Sequence, residues 1–144
     1  MIYEGLVKQG KIKPIDASSD EIKEILALAD RDLKLAEFVI SQNWDWAFSI
    51  GYNAALQASR AFMYAQGFRP SSTNSHKNTF EFMSLALGKE YIHLIGFFDR
   101  MRPKRNQALY DTAGLISETE VRELLKKSKE YVGIIKEKLK KNFS

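Results

Sequence analysis

WDWAFSIGYNAALQASRAFMYAQG, residues 44–67, is the stretch whose reading decides the fold. Trp46, Ile50, Ala54, Ala58, Ala61 and Ala65 recur near one face at helical spacing, and Gly67 supplies a stop, so the spacing predicts a helix over 44–66. Small residues at Ala47, Gly51, Ala54, Ala55, Ala58 and Ala61 let a second helix approach its backbone closely. A helix with so little side-chain bulk is suited to the centre of a bundle. Trp44, Trp46 and Phe48 at its start read first as core aromatics, and otherwise as a partner surface.

The same logic extends in both directions. Upstream, Ser18 followed by Glu21 forms a capping-box pattern, and Ile22, Ile25, Leu26, Ala29, Leu33, Ala36 and Ile40 repeat at helical spacing, predicting a helix over 20–41. Downstream, Pro70 and a cluster of Ser, Thr and Asn residues mark 67–75 as a loop, and Ser75 is the expected cap of a helix from His76 to Gly88. A fourth helix begins at Lys89 and carries Tyr91, Ile92, Leu94, Ile95 and Phe98; Pro103 is expected to kink or break it. Ser117 and Glu120 form a second capping-box pattern before Val121, Leu124, Leu125, Ser128, Val132, Ile135 and Leu139. Strand signals are confined to weak candidates in the first fifteen residues. The expected fold is all-α: an antiparallel bundle of about five helices in one domain over 1–144, with 1–17 as an N-terminal extension.

Composition narrows the function classes. A chain of 144 residues with 44% apolar content builds one core. No apolar run approaches the roughly 20 residues of a membrane span, and no export signal is visible at the N-terminus. The absence of cysteine excludes disulfides, thiolate metal sites and thiol nucleophiles, and suits a cytoplasmic protein. Glycine-rich phosphate loops, paired metal-spaced histidines and nucleophile elbows are also missing, so neither a metal nor a cofactor is expected.

The net charge of +4 is unevenly distributed. Residues 20–37 are acidic overall, whereas Arg122 to Lys141 is lysine-rich and reads as a solvated helix face. Arg100, Arg102, Lys104 and Arg105 form a basic segment without an acid among them. In RPKRNQALYD, residues 102–111, a continuous helix would set Arg102, Asn106 and Tyr110 along one stripe, a pattern that favours an anion. The competing structural reading pairs Arg105 with Asp99 or Asp111 and packs Tyr110 under the last helix. Of the two histidines, His93 falls in an apolar helix pattern and is set aside, while His76, near a helix start, is a candidate for capping or anion contact. The candidate ligand-binding set is thus His76, Arg102, Lys104, Arg105 and Asp111.

An acidic first helix, an alanine-rich second helix ending in Ala65-Gln66-Gly67-Phe68, a loop leading to Ser75-His76-Lys77, and Arg105-Asn106 followed by Tyr110-Asp111 together resemble the HEPN domain family. The resemblance covers most of the chain. It implies a four-helix up-and-down core, a homodimer, and a setting beside a minimal nucleotidyltransferase or an antitoxin partner. In catalytic members an arginine and a polar residue precede a histidine, and two such motifs face each other to cleave RNA. By resemblance, Arg105 and Asn106 take the first two positions and Tyr110 stands at the histidine position, giving Arg105, Asn106 and Tyr110 as the candidate catalytic set. A phenol with a pKa near about 10 is mainly a donor at neutral pH, unlike an imidazole near about 6.5. The leading expectation is therefore an RNA- or nucleotide-binding regulatory protein. The alternative is a metal-independent ribonuclease toxin using Arg105 with Tyr110 or His76.

Overall fold

A computed structural model describes residues 2–110 and 113–143. Its helices are α1 (Glu4–Lys8), α2 (Ser19–Val39), α3 (Trp44–Ala65), α4 (Ser75–Leu87), α5 (Ile92–Tyr110) and α6 (Glu118–Phe143), with a 3₁₀ turn at Lys89–Tyr91 before α5. Strands β1 (Ile12–Pro14) and β2 (Phe68–Pro70) pair antiparallel with Ile12 opposite Pro70. The all-α bundle expected from the sequence is thus the fold, and no described helix is long and apolar enough to cross a membrane.

Both capping boxes form. The Glu21 and Ser18 backbone N–H groups donate reciprocally to Ser18 Oγ (3.1 Å) and Glu21 Oε1 (3.2 Å), and the Glu120 and Ser117 N–H groups do the same with Ser117 Oγ (3.1 Å) and Glu120 Oε1 (3.0 Å). Asn43 caps α3 by accepting from the Trp46 N–H at 2.9 Å. The Ser75 cap does not form: α4 begins at Ser75 itself, behind Asn74 in the left-handed conformation (φ 56°).

Helix α3 is the axis of the bundle and packs against α2, α4, α5 and α6. The four-residue connection 40–43 returns the chain from α2 to α3, making them antiparallel. Asp45 of α3 meets the start of the α6 segment, Gly51 meets Leu124 and Ser128, and Ser59 meets Tyr131, so α3 and α6 run in the same sense as a close diagonal pair. Gly51 makes that approach possible: a Cβ there would lie 2.4 Å from Leu125 Cδ2 and 3.1 Å from Leu124 Cδ2. The apolar stripe of α6 (Val121, Leu124, Val132, Ile135 and Leu139) is buried in this contact region.

The sequence treated 1–17 as an extension and 67–75 as a plain loop, yet β1 and β2 join them. Tyr3, Leu6 and Ile12 are buried, and the Tyr3 ring stacks on Phe82 of α4 with centroids 4.2 Å apart. This start of the chain therefore braces α4, which carries His76. Pro103 does not break α5. Pro103 is exposed, so the carbonyl whose hydrogen bond it forfeits can turn to water, while Arg102, Lys104 and Arg105 around it are held by Asp99, Glu120 and Tyr52 respectively.

Candidate nucleic-acid interface

One continuous α5 places Arg102, Asn106 and Tyr110 at four-residue intervals, as the stripe argument required, and turns Arg105 inward against α3. The Arg105 guanidinium carbon sits 5.7 Å from the centroid of the Tyr52 ring, a cation–π contact with a fully buried aromatic. Its Nη1 donates to Asn106 Oδ1 at 3.1 Å, while its Nε is buried with no hydrogen-bond partner among the described residues. Arg102 Nε lies 3.5 Å from Asp99 Oδ1, an ion pair too long for a good hydrogen bond. Of the two carboxylates that the competing structural reading offered Arg105, Asp99 faces Arg102 instead, and Asp111 lies outside the described residues. The same reading misplaced Tyr110, which is 77% exposed at the end of α5.

His76, on the first turn of α4, also meets Tyr52, with ring centroids 5.9 Å apart. Burial lowers its pKa below the ordinary value, and the Arg105 and Arg102 charges lower it further. The imidazole is therefore neutral at neutral pH and able to accept a proton. Burial pushes the Tyr52 phenol well above its usual range, against the opposing pull of Arg105 and Arg102. Tyr52 thus remains a protonated hydroxyl, and no partner takes that hydroxyl among the described residues.

The remaining candidates among the described residues do not reach the Tyr52 ring. Lys104 is ion-paired with Glu120 across α5 and α6. Asn106 is exposed beside Arg105, His93 is exposed on the first turn of α5, and Asp111 lies outside the described residues. Of the three aromatics read first as core, only Phe48 is buried; Trp44 and Trp46 are 43% and 57% exposed. They fall on the first turn of α3, beyond the reach of the α6 stripe, and Asp45 between them accepts the Gly114 (2.7 Å) and Ile116 (3.1 Å) N–H groups that anchor the turn after α5.

The sequence missed residues on the other side of Arg105. Arg105 shares a groove of about 270 Å³ with Asp32 of α2 and Trp46, Ser49 and Asn53 of α3. Asp32 is 3% exposed and held by Arg31 Nη2 (2.9 Å) and Asn53 Nδ2 (2.9 Å). The signal that could have found these residues is polarity in the wrong place: Asp32 within an apolar stripe, and Ser49, Tyr52 and Asn53 on an alanine-rich helix destined for the core.

A half-buried cationic pair beside a neutral imidazole and a phenol with no hydrogen-bond partner among the described residues can bind an anion and place a proton acceptor beside it. Comparison with curated proteins gives no match. The family model described as HEPN domain matches residues 22–139, from the start of α2 almost to the end of α6. That span contains every element that builds the arginine cluster, and the chain belongs to the HEPN domain family.

Proposed function

We propose that this chain is an RNA- or nucleotide-binding regulatory HEPN protein, acting as a homodimer in the cytoplasm with a nucleotidyltransferase or antitoxin partner. Family membership supports the coarse reading, an RNase-like or nucleotide-binding regulatory role. The observation that carries the finer one is Arg105: its guanidinium is braced over Tyr52, its Nε has no hydrogen-bond partner among the described residues, and Arg102 stands one turn away. Phosphate is the ligand that such a planar donor set fits best. His76, Arg102, Arg105, Asn106 and Tyr110 are the contact residues proposed, with Lys104 and Asp111 flanking them. For two phosphate contacts on a single strand, log affinity falls with log salt at a slope of about −1.4, and Arg105→Ala reduces the slope by about 0.7. Anisotropy titrations of a labelled RNA over a salt series measure this. Absence of binding at low salt removes the proposal.

One observation favours a second reading, a metal-independent ribonuclease. The depressed pKa of His76, beside Arg102 and Arg105, suits a general base, whereas Tyr110 is exposed at the end of α5. In that reading the imidazole takes the proton of a ribose 2′-hydroxyl, the 2′-oxygen attacks phosphorus, and the P–O5′ bond breaks as water protonates the leaving oxygen. The products are a 2′,3′-cyclic phosphate and a 5′-hydroxyl. Cleavage in chelator that His76→Ala and Arg105→Ala both abolish establishes it; intact RNA with the unaltered protein leaves the binding role.

A further inference from the structure

We infer that the groove between α2, α3 and α5 is a subsite for one unstacked nucleobase next to the phosphate on Arg105, with Trp46 as its stacking platform. This rests on the phosphate-binding reading above and adds what is recognised beyond the phosphate. Arg105 lines both the cluster with Tyr52 and this groove, so a strand held there through phosphate brings its neighbouring base to the groove mouth. At about 270 Å³ the groove is just below the roughly 300–1,000 Å³ of pockets for whole drug-sized ligands, which suits one planar ring system rather than a complete nucleotide.

Its lining has the parts a base requires. Trp46 lines the groove and is more than half exposed, and the Asn43 cap on its backbone N–H fixes the main chain from which the indole projects on the first turn of the helix. Leu35 and Leu109 supply apolar lining. Deeper in, Ser49 is only 5% exposed and its hydroxyl has no hydrogen-bond partner among the described residues. A buried hydroxyl left unpaired costs stability, and a polar ligand edge relieves that cost. Asn53 is already oriented: its amide nitrogen donates to Asp32, which leaves the carbonyl oxygen to accept from an N–H on a base edge. Arg105 is the one cation lining the groove among the described residues, and Asp32, already ion-paired with Arg31, adds no attraction for a second phosphate, so the lining favours the base over the backbone at this position.

The test uses Trp44→Phe protein, in which Trp46 is the sole indole, titrated with oligoadenylate and with an abasic ribose-phosphate oligomer of equal length. Emission and anisotropy are followed together, and folding of each variant is checked by its melting curve. Oligoadenylate is expected to quench Trp46 with the midpoint seen by anisotropy, and to bind about tenfold or more tighter than the abasic oligomer, which leaves the emission unchanged. Trp46→Leu, at an exposed position, is expected to remove that advantage; Ser49→Ala is expected to reduce it. Equal binding of both oligomers with unquenched Trp46, while Arg105→Ala weakens both, overturns the base subsite and leaves the phosphate reading standing. Failure of both oligomers to bind overturns both readings. A protein-concentration-dependent shift of Trp46 emission without RNA, matched by dimerisation that Trp46→Leu abolishes, assigns the groove to a second copy of the chain and likewise overturns the subsite.

Discussion

The two faces of α3 treat buried polar groups in opposite ways. Toward α6, each hydroxyl has a partner: Ser59 Oγ lies 2.7 Å from the Tyr131 hydroxyl and donates to the Ala55 carbonyl, and Ser128 Oγ donates to the Gly51 carbonyl at 2.7 Å. Toward α5, the Ser49 and Tyr52 hydroxyls and Arg105 Nε are buried with none among the described residues. Buried polar atoms are nearly always satisfied where a protein is only being held together. The contrast therefore separates a region whose polar groups serve the fold from one whose polar groups are left for something else. Both lie on one helix, so neither a difference in helix type nor in overall burial accounts for it.

The largest expected effect breaks the α6 side. Leu124 is fully buried where α6 crosses Gly51, and Leu124→Ala should cost about 3 kcal/mol in urea unfolding, as deletion of core methyl groups does. A matched pair of tyrosine substitutions sharpens the comparison. Tyr131→Phe removes one of the two partners of Ser59 and should cost about 1 kcal/mol. Tyr52→Phe deletes a hydroxyl that bonds to nothing within the described residues, so its stability should stay within about 0.5 kcal/mol of the unaltered protein. Equal losses at the two positions would mean that the α5 side is no less satisfied than the α6 side.

That asymmetry also marks the limit of what the sequence discloses. The two capping boxes, the Gly67 stop and the small-residue face of α3 were legible because each depends on residues within a few positions, or on one periodic face. The β1–β2 pairing was not, since its residues are separated by more than fifty positions and each strand is three residues long. The break allowed for at Pro103 does not occur, because local propensity says nothing of the anchors, Tyr52 and Glu120, that hold the turns around it. Arg102, Arg105 and His76 were singled out separately, as a basic segment and a helix-start histidine; that both arginine charges act on the His76 ring became visible only in the fold. Tyr52, which joins them, and Asp32, Ser49 and Asn53 beyond Arg105 required the packing of α2 and α5 on α3 to be seen.

The smallest expected effect is a pH dependence confined to the α5 side. His76 has a folded pKa below its ordinary value of about 6.5, so between those two values the unfolded chain binds more protons than the folded one. Its contribution to stability is therefore complete above about pH 6.5 and is lost as pH falls through the depressed folded value. His76→Gln should flatten that part of the urea-midpoint curve while leaving the slope at lower pH, where carboxylates titrate, in place. Arg105→Ala tests the cause separately. Burial is the larger influence and the arginine charge the second, so the imidazole resonance of His76 should titrate at a higher pH in this variant and still below the ordinary value. An unchanged titration would place the guanidinium too far from the imidazole for the two to act on one phosphate, and would separate His76 from the arginine cluster.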